Sequence, residues 1–351
     1  MHGVCLVTGG AGFIGCAISD KLAQKFDRVV AIDNLHPQIH AVRERPKALS
    51  PHVELIVSDV TDTSTWDDVL TRHRPDVIVH LAAETGTGQS LTEATRHALV
   101  NVVGTTRMLD ALAKANHVPS RFVLSSSRAV YGEGAWKDSA SGATIYPGQR
   151  SKAQLEARQW DFPNATSLSM SARHTRPDPT SVYGSTKLTQ EQVLRAWTLS
   201  FGSVLNVLRL QNVYGPGQSL TNSYTGIVSL FIRMAKEGRS IPVYEDGDIG
   251  RDFILIDDVA NAIAEAADAD LPKAEAFDIG TGEKTTILRL AEIIAKRYGA
   301  PAPQITGAFR NGDVRCAVAD IADTTKAMRW RPQFPVEKGI SILGDWIDTL
   351  L

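Results

Sequence analysis

Val4-Cys5-Leu6-Val7-Thr8-Gly9-Gly10-Ala11-Gly12-Phe13-Ile14-Gly15, continued by Cys16-Ala17-Ile18-Ser19-Asp20-Lys21-Leu22, passes from an apolar run through a glycine turn into an amphipathic segment. That order predicts a strand, a loop and a helix, the unit that sets a pyrophosphate on a helix N-terminus. The spacing Gly9-x-x-Gly12-x-x-Gly15 departs slightly from G-x-G-x-x-G, with Gly10 as an extra turn residue. Taken alone, such a run also suits a plain tight turn. Downstream, Arg28-Val29-Val30-Ala31-Ile32-Asp33-Asn34 reads as the second strand. Asp33 lies 18 residues beyond Gly15, close to the spacing of about 20 at which a carboxylate meets a ribose 2′-hydroxyl. A dinucleotide is the ligand this pattern expects. Asp33 would repel a 2′-phosphate, which favours NAD, while Arg43 and Arg45 keep NADP open.

Further apolar runs alternate with helical stretches near 64–73 and 91–116: Val53-Glu54-Leu55-Ile56-Val57, Val77-Ile78-Val79-His80-Leu81-Ala82-Ala83 and Arg121-Phe122-Val123-Leu124-Ser125. Continuous apolar strands of this kind belong to a parallel sheet covered on both faces. The fold class is therefore α/β, a doubly wound, Rossmann-type parallel sheet. Asp59, followed by Val60, ends the third strand, where its carboxylate can accept an adenine amino group or cap the next helix. Asn101 and Gly104 interrupt an amphipathic helix, which suggests close packing and a hydrogen bond to the neighbouring strand. His80 reads as a hydrogen-bonded core residue, and His36 and His40 lack a third ligand, so no metal is expected.

The chain has 351 residues, 22% of them charged, and a formal net charge of −2. That length allows a well-buried core of one or two domains, and the charge balance gives no footprint for nucleic acid. Cys5, Cys16 and Cys316 are an odd set without paired spacing, as in a reducing compartment. The first strand begins within three residues of Met1 and no apolar run approaches the roughly 18 residues of a membrane span. The expectation is a cytoplasmic protein.

Chemistry concentrates at Tyr183-Gly184-Ser185-Thr186-Lys187, with Ser126 and Ser127 upstream. A Tyr and a Lys four apart share one helical face, so the ammonium can sit beside the phenol and draw its pKa down from ~10. Such a phenol is a usable base.

Together with this pair, Thr8-Gly9-x-x-Gly12-x-x-Gly15, His80-Leu81-Ala82-Ala83, Asn101, Ser125-Ser126-Ser127, Val130-Tyr131-Gly132, Arg209-Leu210-Gln211-Asn212-Val213-Tyr214-Gly215-Pro216 and Arg251-Asp252-Phe253 resemble the extended short-chain dehydrogenases/reductases that modify nucleotide-diphosphate sugars. The resemblance implies NAD held by Gly9, Gly12, Phe13, Ile14, Gly15, Asp33, Asn34, Asp59, Val60, Leu81, Ala82, Ala83, Asn101, Ser125, Tyr183 and Lys187. It implies transient oxidation of the sugar, with Ser127 on the reacting hydroxyl, Tyr183 as base and Lys187 as its electrostatic support. Asn212, Arg251 and Arg310 match the residues such enzymes aim at the diphosphate, where a guanidinium fork suits phosphate oxygens. Thr85 and Thr87 follow the fourth strand's carboxyl end and are candidates for sugar contacts.

Related 4,6-dehydratases carry an Asp-Glu pair after the catalytic hydroxyl residue; here Arg128 and Ala129 follow Ser127. Without those proton carriers the resemblance implies 4-epimerisation rather than elimination, and Asp33 argues against reduction by external NADPH. The runs Leu81–Ser90, Ser126–Gly134 and Gln211–Leu220, then Tyr224-Thr225-Gly226-Ile227, resemble the dTDP-L-rhamnose 4-epimerase subgroup. Epimerases of UDP-glucose or UDP-glucuronate are the alternative.

Residues 1–215 are expected to form the dinucleotide domain, with 251–275 returning to it and an insertion at about 132–182 read as a long surface loop, a partly ordered flap over the sugar or an ornament. Some relatives carry cysteine pairs in that insertion, whereas residues 132–182 here contain none. Residues 216–250 and 276–351 are expected to form a smaller, discontinuous substrate domain. The resemblance also implies a homodimer through the helices near 91–116 and 183–201.

Overall fold

The computed structural model describes residues 3–220, 226–271 and 275–350. Tyr224 and Thr225, which belong to the subgroup resemblance, lie outside the described residues.

The apolar runs form one sheet of seven strands: β1 Val4–Thr8, β2 Arg28–Asp33, β3 Val53–Val57, β4 Val77–His80, β5 Arg121–Ser127, β6 Val204–Leu210 and β7 Glu275–Ile279. Their order is β7-β6-β5-β4-β1-β2-β3, and every pairing is parallel. Cys5 pairs with Val29 on one side and Val77 on the other, so the winding reverses between β1 and β4. At such a switch point a crevice opens beyond the strands' carboxyl ends.

Both faces are covered, as continuous apolar strands require. On one, helices Phe13–Ala23 and Ile256–Asp268 bury Ile18, Leu22, Val259 and Ile263. On the other, helices Thr63–Arg72, Gly104–Lys114 and Val182–Phe201 bury Trp66, Val69, Met108, Leu112 and Leu194. The expected helix over 91–116 is broken: Ala94–Ala98 passes through a π turn at Leu99–Val103 into Gly104–Lys114. Asn101 sits in that turn, where the wider winding lets its amide reach the segment just after β4.

A second core, with Phe231, Ile232, Leu290, Ile294, Ile340 and Leu343, lies in the C-terminal part. The division expected at residue 276 is corrected, because Glu275–Ile279 is an edge strand of the main sheet with Phe277 and Ile279 in the first core. Met328 and Trp330 return to that core as well. Asp258 does not cap its own helix; its carboxylate accepts the Gln333 and Phe334 amides just before helix Val336–Asp348.

The expectation of a long surface loop at 132–182 is also corrected. Trp136–Asp138 pairs antiparallel with Thr144–Ile145 and Ala165–Ser167, and a short helix spans Lys152–Glu156. Charge pins this segment to the C-terminal part. Arg150 donates to both oxygens of Glu245 at 2.8 and 3.0 Å, and Arg315 bridges Asp161 and Asp246.

Candidate active site

The crevice at the switch point is a cavity of about 740 Å³ running from Asp33 and Asp59 to Ser127, Tyr183 and Asn212. It is lined by all of the residues proposed from sequence for NAD and substrate except Asn101, Arg251 and Arg310.

At one end the glycine turn makes a cradle whose fit to a dinucleotide can be tested on its backbone. Gly9 has φ +68°, and a Cβ there would stand 2.8 Å from the Ala82 amide nitrogen. A Cβ on Gly15 would stand 2.4 Å from the Gly10 carbonyl oxygen. Gly12 has only the Gly9 oxygen nearby, at 3.3 Å, and lines the cavity at the N-terminus of helix Phe13–Ala23. The loop therefore packs tightly on the protein side and leaves helix amides toward the cavity, as a pyrophosphate requires.

Asp33 accepts the Ala11 amide at 3.0 Å and the Leu35 amide at 2.9 Å, which fixes its carboxylate at the mouth of the turn. His40 stands 3.7 Å from the same carboxylate. Arg45 is spent on the carbonyls of Val53, Leu49 and Ser50, so it is not available to a 2′-phosphate. Asp59 accepts the Asn34 side-chain amide at 2.9 Å and the Thr61 amide at 2.8 Å. Burial raises this carboxyl, but hydrogen bonds from Thr61 and Asn34 outweigh that and hold it below the usual range. The residues present fit NAD.

At the other end, β5 delivers Ser127, and helix Val182–Phe201 delivers Tyr183 and Lys187. Ser181 caps that helix by accepting the Gly184 amide at 3.0 Å. Gly184 is required there: a Cβ would stand 2.4 Å from the Ala129 carbonyl oxygen. Tyr183 and Ser127 line the same cavity. Burial outweighs the pull of Ser127 and of the Arg128 charge and holds the Tyr183 phenol above its usual range, which corrects the lowered value expected from a neighbouring Lys187.

The expected partnership of Lys187 with Tyr183 is corrected in part. The Lys187 ammonium donates to Gln190 Oε1, and the cation acting on the phenol is Arg128. Burial lowers Lys187 to about 7, against the pull of Glu191. Gln190 Nε2 donates to Thr105 Oγ1 at 2.9 Å, and His80 bridges Thr105 and Thr8 at 2.9 and 2.7 Å. Burial and the nearby Lys187 charge take His80 down to about 3, so it is the neutral core residue that the sequence predicted.

Three placements differ from expectation. Asn101 is fully buried away from the cavity: its amide donates to the Glu84 carbonyl and Thr186 Oγ1 and accepts from the Glu84 amide, which aims the segment after β4. Arg251 lies buried beside the cavity, paired with Asp313 at 2.5 Å. Arg310 is exposed and stacks 5.3 Å over the Tyr244 ring. Gln89 and Ser90 near Thr87 are internal struts, on Gln38 and the Thr87 carbonyl. Arg128 lines the cavity although the sequence assigned it no role; its place directly after Ser127 was the available signal. Gln190, three residues beyond Lys187, was readable from helical spacing alone.

Comparison with known proteins agrees with this geometry. Residues 5–280 match the family described as the NAD dependent epimerase/dehydratase family. A dTDP-L-rhamnose 4-epimerase from Burkholderia thailandensis is 60% identical over 342 residues, 97% of this chain and 94% of that protein. The structure of UDP-glucose 4-epimerase from Thermotoga maritima with UDP-glucose is similar, with a TM-score of 0.81 and 26% identity over 99% of each chain. That of UDP-glucose 4-epimerase from Thermus thermophilus with NAD gives 0.78 and 26% over 99% of this chain and 100% of the other. With its glycine cradle, fixed Asp33 and Tyr183 at the crevice, the chain belongs to the NAD-dependent epimerase/dehydratase family.

Proposed function

We propose that the chain is a nucleotide-sugar 4-epimerase that interconverts dTDP-L-rhamnose and dTDP-6-deoxy-L-talose with NAD as its cofactor. Identity of 60% across 97% of the chain supports the substrate. The observation that carries the reaction type is the convergence of Ser127 and Tyr183 on a cavity whose lining carboxylates are all committed elsewhere. Asp33 and Asp59 hold the dinucleotide end, and Glu84 pairs with Arg96 at 2.8 Å. Among the described residues, no carboxylate lines the cavity beside Ser127 to carry protons for elimination.

When bound, NAD supplies reversible hydride chemistry at a sugar carbon. Ser127 and Tyr183 orient the 4-hydroxyl, and Tyr183, as the phenolate, takes its proton. The same phenol returns that proton after the 4-keto sugar has turned its other face. Lys187, one helical turn beyond Tyr183, lines the same cavity and is held there by the Gln190–Thr105 network. Asn212 and Arg251 serve the diphosphate, with Thr85 and Thr87 at the sugar end.

The chain acts as a homodimer in this reading. Exposed Leu91, Leu99, Leu199 and Phe201 lie on or beside helices Ala94–Ala98 and Val182–Phe201, and an apolar hollow lies between Ala98, Val102 and Val182. On these helices Leu188 and Val193 already pack in the monomer, which leaves Ala94, Ala98 and Val102 for a partner. No described helix is long and apolar enough to cross a membrane. Assay of the purified protein on dTDP-L-rhamnose, UDP-glucose and UDP-glucuronate, with products separated by chromatography, tests the assignment. Conversion of a UDP-sugar but not dTDP-L-rhamnose would overturn it.

A further inference from the structure

Arg128 begins a short helical turn, Arg128–Tyr131, whose backbone is fixed from two sides. Ser127 Oγ accepts the Ala129 amide at 3.1 Å, and the start of helix Val182–Phe201 packs so closely on the Ala129 carbonyl that only glycine fits at 184. From this base the guanidinium reaches Asn212, donating from Nε to Oδ1 at 2.8 Å. Its two terminal nitrogens have no partner among the described residues, and the residue lines the cavity. A guanidinium carries five N–H donors in a rigid fork, so most of its capacity is directed at something other than protein.

The surrounding charges indicate what that is. Arg251 is the strongest charged neighbour and repels it; burial together with Arg251 lowers Arg128 to about 10, which leaves it a cation near neutral pH. The nearby carboxylates are already engaged. Asp313 takes Arg251, and Glu133 takes the Arg315 amide and stands 3.3 Å from Arg150. Arg128 therefore faces the cavity on Asn212 while Arg251 lies buried beside it on Asp313, which leaves an excess of positive charge at this end. An anion with more than one charge fits there.

Resting on the reading above, the sugar of the substrate is a neutral 6-deoxyhexose, so the substrate's only anion is its diphosphate. We propose that Arg128 is a binding residue for that diphosphate, a donor beside Asn212 and Arg251 that grips the phosphate nearest the sugar. The placement has a consequence for epimerisation. The keto sugar must turn over while its anchor stays still, and Arg128 fixes the anchor at the phosphate adjoining the turning ring.

The test is calorimetric titration of the NAD-loaded protein with dTDP, UDP and dTMP, for the wild type, Arg128→Met and Arg128→Lys, alongside a thermal melt of each. Arg128→Met should weaken dTDP binding at least about tenfold, as expected for a lost hydrogen bond between charged groups, and leave dTMP binding within about twofold. Arg128→Lys should recover part of the loss. Equal loss for dTDP and dTMP would overturn the assignment by pointing to damage of the whole nucleotide site. Unchanged dTDP affinity with only a shifted pH profile would overturn it by confining Arg128 to Tyr183. A wild-type protein that binds neither dTDP nor UDP would overturn this assignment and the nucleotide-sugar reading together, which separates the two failures.

Discussion

The Lys187 ammonium donates to the Gln190 amide oxygen within its own helix, inside a buried network that continues through Thr105 and His80 to Thr8. Burial lowers this Lys to about 7, whereas an unfolded Lys titrates near 10.4. Between those values the unfolded chain binds more protons, so this group makes stability rise with pH from about 7 upward. Below about 7 the ammonium is charged in both states and that gain is absent. Lys187→Met should therefore melt higher than the wild type near pH 6 and show a flatter rise toward pH 9 in calorimetric scans. Parallel curves for the two proteins would contradict the burial assigned to Lys187.

Ser127 and Arg128 both pull the Tyr183 phenol down against its burial. The base must be deprotonated to act, so activity should rise with pH through the Tyr183 pKa. Removing either helper raises that pKa and moves the rising limb to higher pH. Ser127→Ala should show this shift together with a loss in kcat of about 10²-fold or more, the scale of general acid–base assistance. Tyr183→Phe should keep NAD bound, read by absorbance, and lose sugar-dependent reduction.

Arg150 is 2% exposed; it ties the 132–182 segment to Glu245 and the Asp313 carbonyl and braces the segment internally on the Trp160 carbonyl. Arg150→Ala leaves Glu133 without its nearest cation and Glu245 with only Arg315. Truncating one member of a buried charge group commonly removes about 3 kcal/mol or more. A marked fall in melting temperature is expected, and a fall of less than about 1 kcal/mol in denaturant titration would show that the network is not stabilising.

Gly15 and Gly88 make a matched pair. A Cβ on Gly15 meets Gly10 backbone at 2.4 Å, so Gly15→Ala should distort the turn, cost about 2 kcal/mol and reduce NAD retention. Gly88 has ordinary negative φ of −69° and nothing within 4 Å of its Cβ position. Gly88→Ala should be neutral or slightly stabilising and keep its NAD.

Much of this was legible in local sequence. The first five strands, the glycine turn, Asp33 and the Tyr183/Lys187 spacing are short-range patterns, since apolar runs and helical spacing report directly on burial and facing, whereas the role of Ser127 came from the family resemblance. What escaped depends on contacts far apart in the chain. Glu275–Ile279 contains Glu275 and Asp278 in a five-residue strand, and only pairing with Val204–Leu210 and the Tyr131 hydrogen bond to Asp278 explain its place in the sheet. The order of residues 132–182 rests on Arg150 and Arg315 meeting acids near 245, which composition cannot foresee. Arg251 and Arg310 looked alike in sequence; Asp313 holds the first at the cavity's edge, while Tyr244 holds the second at the surface.

The most direct test of the central claim uses dTDP-L-rhamnose carrying deuterium at C4 and purified protein with no added cofactor. Conversion to dTDP-6-deoxy-L-talose is expected with the deuterium kept at C4 of the product, because the hydride leaves and returns within one site. Absence of the talose product, or its formation with the label lost, would contradict it.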